Sequence, residues 1–308
     1  MLTAFYDLTC APPTWDYARF LYRALCERES QQDPVEVVVV PGPREGFRDD
    51  TLPPDVATRR QMRDHIVLVY GSLFPNVKTT LAPDRATAAH VWAERHARQA
   101  RIWPPGYRPD APKAFYWGPS VHEGLAVLAR VGPLPQQVIP AGTLAWAHSL
   151  VRGRRCVALV LRECAYWPSR NSDLSAWAAF AAHLRSQGVT PLIVRDTAKA
   201  HEAFLDFETV PAASQNLRLL AALTQVVGSS WFVNNGVTAL VQYGNPAPYR
   251  IFKLMVPGAP CVSQDYFYAC GIGQDGRLPW GGPDQRFVWE ADTAEALVWT
   301  WERREATR

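Results

Sequence analysis

The chain holds 3 methionines and 6 cysteines in 308 residues, and its formal charge is only +3 at neutral pH. No apolar run approaches the roughly 20 residues that span a bilayer. The start, MLTAFYDLTCAPPTWDYARF, has no basic segment ahead of a long apolar stretch, so no secretory leader is expected in it. Arginines are interleaved with acids instead of forming a stripe, which argues against a nucleic-acid surface. Cys10, Cys26, Cys156, Cys164, Cys261 and Cys270 show neither C-x-x-C nor Cys/His ligand spacing, and they read as reduced thiols. No G-x-G-x-x-G follows a strand, which removes the usual support for a dinucleotide oxidoreductase. Internal repeats and low-complexity tracts are lacking, as is a D-x-D-like acidic pair in a clear loop. What remains is a cytoplasmic globular protein with neither cofactor nor metal, long enough for two domains or one large one.

What is present is an alternation of strand and helix signals. LTAFYD, the helical TWDYARFLYRALCERE and the continuous apolar VEVVVV open the chain as β-α-β. HIVLVY reads as a third strand, DRATAAHVWAERHARQA as a helix with a polar face, and HEGLAVLARVG (122–132) as a further helix among Pro-rich turns. The pattern restarts at CVALVL. Leu174, Trp177, Ala178, Ala181 and Leu184 share one helical face, with Gly188 placed to end that helix. PLIVRD, a helix marked by Leu217, Leu220, Ala221 and Val227, SWFVNN and PYRIFKL follow. Near the carboxyl end, Asp292 stands as a helix cap before Ala294, Leu297, Val298 and Trp301, a helix that can pack on either domain. Short strands separated by helix-length segments favour parallel pairing. The expectation is therefore two Rossmann-like α/β domains facing a cleft, residues 1–150 and 151–308, with a carboxyl-terminal helix.

Parallel α/β sheets place ligands at the carboxyl ends of their strands, and three polar clusters fall there. Arg162 and Glu163 end CVALVL, followed by Arg170, Asn171 and Ser172 just before the next helix. Arginines beside the free N–H groups of a helix start, with Asn171, Ser172 or Asp173 as its cap, suit a phosphate or diphosphate. The plainer alternative is that Arg162 pairs with Glu163 while Ser172 caps the helix. Asp196 follows PLIVR, where an acid accepts hydrogen bonds from ribose hydroxyls or simply closes a turn. Asn234, Asn235 and Gly236 follow SWFV, as sugar-binding amides beside a close backbone approach or as an ordinary Asn-Gly turn.

LVLRECAYWPSRNSDLSAWAAFAAHLRSQGVTPLIVRDT (159–197), NLRLLAALTQVVGSSWFVNNG (216–236) and the terminal spacing Gln285, Trp289, Glu290, Asp292, Thr293 together resemble a bacterial family of glycosyltransferases with a GT-B-like fold. The resemblance covers mainly residues 157–300, and the first half matches only in layout. It implies a carboxyl-terminal domain that holds a nucleotide-sugar donor, an amino-terminal domain that holds the acceptor, and no metal. It places the donor site at Arg162, Arg170, Asn171, Ser172, Asp196, Asn234, Asn235 and Gly236, with Lys253, at the end of the next strand, as an addition. Partners are then a nucleotide-diphosphate sugar and a glycan or other hydroxyl acceptor.

Such a transfer needs donors aimed at the leaving phosphate and a base for the acceptor hydroxyl. Asp7, ending the first strand, Asp16, opening the following helix, and His122 are the candidate bases. Each also has a bland reading, as a loop acceptor, a cap or one histidine among seven. Trp15 and Tyr17 can stack on sugar faces but sit at core spacing. The competing functions are another nucleotide-sugar enzyme, an epimerase or hydrolase, and a non-catalytic glycan- or nucleotide-binding protein.

Overall fold

The structure, a computed structural model, describes residues 1–30, 32–48, 55–112, 135–253, 255–257 and 262–306. It divides into two compact units, Met1–Val138 and Ile139–Arg308.

The first unit is built on a four-stranded parallel sheet in the order β3-β2-β1-β4. β1 (Leu2–Asp7) is buried along its whole length and β2 (Val35–Val40) nearly so. A central parallel strand is covered on both faces, so its sequence is a continuous apolar run. Helix α1 (Asp16–Cys26) buries Tyr17, Phe20, Leu21 and Leu25, and Tyr6 meets the rings of Tyr17 and Phe20 edge-on at 4.9 and 5.0 Å. Tyr17 is a core residue, fully buried with its hydroxyl 2.9 Å from Thr79 Oγ1, and the half-buried Trp15 packs edge-on against Tyr70.

HIVLVY is not a strand. Asp55 accepts from Thr58 N–H and starts helix α2 (Val56–Met62), and the chain stays helical through Arg63–Val67 and Leu68–Tyr70. Val67 and Tyr70, three residues apart, are its buried positions. Five apolar residues in a row, Ile66 to Tyr70, fit either state by period alone, and tertiary packing selects the helix. The third strand is β3 (Val77–Leu81), whose VKTTL is only half-buried because it lies at the sheet edge. Helix α3 (Arg85–Ala97) is capped by Asp84 through Thr87 N–H at 2.7 Å, and β4 (Arg101–Trp103) pairs with β1. The helix expected at 122–132 lies outside the described residues.

The second unit holds six parallel strands in the order β10-β9-β8-β5-β6-β7. Its first helix, α4 (Ala141–Val151), precedes β5 (Cys156–Val160), so this unit begins at Ile139, ahead of the boundary at 150 drawn from the sequence. Helix α5 (Leu174–Ser186) ends at Gly188, whose φ of +69° lets Val189 N–H bond the Leu184 carbonyl at 3.0 Å. β6 (Thr190–Val194), the two-residue β7 (Glu208–Thr209), helix α6 (Leu217–Val226), β8 (Ser229–Val233), β9 (Tyr249–Phe252) and β10 (Gln285–Phe287) follow. Trp177, Phe180, Trp231 and Phe252 fill the core, with the Trp231 and Phe252 rings stacked at 5.4 Å. Helix α7 (Ala294–Ala306) adds Leu297 and Trp301 to that same core, which answers where the terminal helix packs. Its cap is Thr293, whose Oγ1 accepts from Ala296 N–H at 3.2 Å, and not Asp292.

Candidate functional site

In the second sheet the chain runs outward from β5 to β6 and β7, then returns to place β8 on the other side of β5. The strand order therefore reverses between β5 and β8. Loops leaving the carboxyl ends of two such strands diverge and open a crevice, the usual ligand position in an open α/β sheet. The predicted residues sit at these ends: Arg162 and Glu163 after β5, Asp196 after β6, Asn234 to Gly236 after β8, and Lys253 after β9. Arg170 spans the reversal, donating from Nη2 to the Asn234 carbonyl at 3.2 Å.

Several of these residues build the loop itself. Arg162, 6% exposed, donates Nη1 to the Trp167 carbonyl at 3.0 Å and to Asn171 Oδ1, and Nη2 to the Tyr166 carbonyl at 3.0 Å. Burial lowers its pKa. Asn171 closes the same loop onto Cys164, accepting from its N–H and donating to its carbonyl, each at 3.0 Å. Ser172 Oγ accepts from Arg162 N–H at 3.0 Å, so Ser172 is not the helix cap. That role falls to Asp173, whose carboxylate accepts from Ser175 and Ala176 N–H. Glu163 does not pair with Arg162. It binds Arg195 in two places, Oε2 to Nε at 2.9 Å and Oε1 to Nη2, and both side chains are 8% exposed. The carboxylate beside it raises the Arg195 pKa, and Arg195 also holds the Glu202 and Ala203 carbonyls at 3.3 and 2.9 Å.

The expectation that α5 offers free N–H groups is overturned as well. Asp173 takes two of them, and the Asp173 N–H itself donates to Asp292 Oδ2 at 2.8 Å. The Asp173 carboxylate at that helix start repels an anion, while the Asp292 charge is met by the Lys253 ammonium. On the other side of the reversal, the short turn Gly236–Thr238 has no side-chain cap, and Asn235 Oδ1 is buried with no partner among the described residues. Arg170 Nε is likewise buried and unpartnered, its guanidinium lies 5.5 Å from the Trp167 ring centre, and among the described residues no carboxylate pairs with it. Lys253 donates to the Asn171 carbonyl at 2.5 Å, with Asp292 Oδ1 at 3.5 Å. Asp196 accepts weakly from Glu163 N–H at 3.5 Å and stays half-buried at the end of β6.

In the first unit, Asp7 ends β1, and the side chain is 1% exposed. Its Oδ1 accepts from Arg85 Nη1 and Thr9 N–H, each at 2.9 Å, and its Oδ2 from Arg85 Nη2 at 3.1 Å and the Tyr107 hydroxyl at 2.7 Å. With all four acceptor positions taken, Asp7 anchors the end of its strand. Burial and this carboxylate raise the Tyr107 pKa, and the same two causes push Cys10 up to about 12, so neither is a nucleophile at neutral pH. Asp16 lies half-buried in the first turn of α1, and its one partner among the described residues is the Thr14 hydroxyl at 2.6 Å. His122 lies outside the described residues.

Reasoning from sequence missed Arg195, Arg85 and Tyr107, which fix Glu163 and Asp7; the signal available was an arginine or tyrosine just past a strand or helix start. Among the described residues no cluster of His, Cys, Asp or Glu is arranged to hold a metal ion, and no helix is long and apolar enough to cross a membrane.

No family model and no curated protein matches the sequence. Among the solved structures similar to this chain, two that cover 99% of it are informative. One is the glycosyl transferase family 9 protein from Veillonella parvula, with TM-score 0.53, 9% identity and 88% of its chain covered. The other is ADP-heptose LPS heptosyltransferase II from E. coli, with TM-score 0.55, 11% identity and 97% of its chain covered. At such identities the likeness shows the fold: two Rossmann-like α/β units of the GT-B type.

Proposed function

We propose that the protein is a glycosyltransferase that moves a sugar from a nucleoside diphosphate to a hydroxyl acceptor without a metal ion. The observation that carries this reading is Arg170: a guanidinium at the strand reversal of the second sheet, held by a carbonyl and an aromatic ring and, among the described residues, left without a carboxylate. A fold shared with a heptosyltransferase whose donor is ADP-heptose supports a nucleoside-diphosphate sugar as the ligand class.

In the transfer, the acceptor oxygen bonds the anomeric carbon as the bond from that carbon to the phosphate oxygen breaks. The nucleoside diphosphate leaves with the electron pair, and the hydroxyl proton passes to a base. Negative charge grows on the leaving oxygens, so a fixed cation near them lowers the barrier, and its loss costs about 10²-fold in rate. Arg170 supplies that charge from the β5 side and Lys253 from the β9 side. The uncapped turn after Asn235 faces the same leaving group, and Asp196 takes the ribose hydroxyls. Arg162, Glu163, Asn171 and Ser172 hold the loop that presents Arg170. Asp16 is the base, because its carboxylate keeps an oxygen without a partner among the described residues while Asp7 keeps none. The acceptor, a glycan or other hydroxyl compound, belongs to the first unit.

Calorimetry with ADP and UDP in the presence of a chelator tests this directly. Binding by the full chain is expected with no metal added; binding that appears only with Mg²⁺ or Mn²⁺ rejects the mechanism, and binding under neither condition rejects the donor site. Asp16→Asn is expected to bind nucleotide normally and lose turnover, whereas an Asp16→Asn variant with native turnover removes Asp16 as the base.

A further inference from the structure

Asp292 is among the most buried carboxylates of the second unit, 3% exposed, and it lies in the segment between β10 and α7, far in sequence from the loops it touches. Oδ2 accepts two neutral donors, the Asp173 N–H and the Trp177 indole Nε1, each at 2.8 Å. Oδ1 faces the ammonium of Lys253 at 3.5 Å. The two neutral donors fix the carboxylate against the start of α5, so its second oxygen is aimed at one place. Lys253 stands there on a backbone with φ of +56°, a conformation that costs a residue other than glycine free energy and persists where the surroundings impose it. Its N–H is held by the Glu290 carbonyl at 3.1 Å, two residues before Asp292.

An ammonium has three N–H donors. For Lys253, the Asn171 carbonyl takes one at 2.5 Å, Asp292 faces a second, and the third has no partner among the described residues. A free lysine side chain samples many rotamers, and ordering it on a ligand costs conformational entropy. We propose that Asp292 is a positioning residue: it pins the Lys253 ammonium beside the β5–β8 reversal, so that the remaining N–H is presented to the diphosphate of the donor. The idea rests on the donor-site reading above. It assigns to a residue that contacts no ligand a part of the nucleotide affinity, exerted entirely through Lys253.

Asp292→Asn isolates that role. The asparagine keeps one carbonyl oxygen, which can turn to the Asp173 and Trp177 donors, and its amide nitrogen then faces Lys253 donor to donor. The fold's hydrogen bonds are retained while the pin is lost. Titrating ADP and UDP calorimetrically into the native chain, Asp292→Asn, Lys253→Met and the double variant gives the test. Each single variant is expected to weaken Kd by about tenfold, as for one charge-assisted hydrogen bond. The double variant is expected to match Lys253→Met within about twofold, because the two changes remove one interaction. A native-like Kd for Asp292→Asn, or losses that multiply in the double variant, overturns the proposal. Should Asp292→Asn fail to fold, Lys253→Met decides alone, and a Kd within about twofold of native overturns it. If the native chain binds neither nucleotide, the donor-site reading falls and this proposal with it. Native binding with an unaffected Lys253→Met removes only the proposal.

Discussion

Replacing Glu163 by glutamine tests whether this strand-end carboxylate supports the fold or the ligand. The side chain keeps its size, but Arg195, 8% exposed, loses the charge that meets its guanidinium at two positions. Removing one member of a buried ion pair costs about 3–5 kcal/mol, since the remaining charge is left in a low-dielectric site. Here the lower end applies: Arg195 keeps the Ala203 and Glu202 carbonyls, and the Glu202 carboxylate lies 3.7 Å away. About 3 kcal/mol in a domain of this size corresponds to a fall in Tm of about 6–12 °C. Scanning calorimetry reads the shift, and nucleotide titration below the transition reads the site. The Arg195→Met change added to Glu163→Gln is expected to recover part of the loss, because a neutral pair no longer leaves a charge unmet. If Glu163→Gln melts within about 2 °C of native and at the same time loses nucleotide affinity, which on the same scale is under about 1 kcal/mol of stability, Glu163 is a ligand contact and the structural assignment is refuted.

Arg170→Ala is expected to weaken diphosphate binding by about 1.5–3 kcal/mol with an unchanged melt, since among the described residues its guanidinium meets a carbonyl and a ring and no carboxylate. Arg162→Ala is expected to do the opposite, lowering Tm because the Tyr166 and Trp167 carbonyls lose the guanidinium donor and Asn171 Oδ1 loses one of two. Native stability for Arg162→Ala would show that the loop does not depend on it. The Asp173 carboxyl is held below its usual pKa, first by the Ser175 hydroxyl and then by the Ala176 N–H. A depressed folded pKa adds stability above the unfolded value of about 3.9, and that stability disappears as pH falls through the folded value. Asp173→Ala should therefore lower stability by about 1 kcal/mol at pH 7 and flatten the Tm profile below about pH 4. A parallel downward shift at every pH contradicts the capping role.

The sequence alone carried the β-α-β opening of the first half and the strand and helix succession from CVALVL to PYRIFKL in the second, since buried parallel strands such as VEVVVV and CVALVL are continuous apolar runs; it did not carry β3, β4, β7, β10, α2 or α4. It also carried the positions of the polar clusters, because in a parallel sheet the residue that follows a strand necessarily lies at its carboxyl end. Partners were another matter. Glu163 bonds Arg195 across 32 residues, Trp177 bonds Asp292 across 115, and Asp7 bonds Tyr107 across 100. Each pairing depends on which strands lie side by side, and that order, β9-β8-β5-β6 in the second unit, is a property of the folded sheet. The same holds for HIVLVY, whose five apolar residues suit a strand or a helix until Val67 and Tyr70 are buried together. Local chemistry placed the charges at the strand ends; only tertiary structure decided that Arg162, Glu163 and Asp7 brace the fold while Arg170 and Lys253 keep N–H donors without a partner among the described residues.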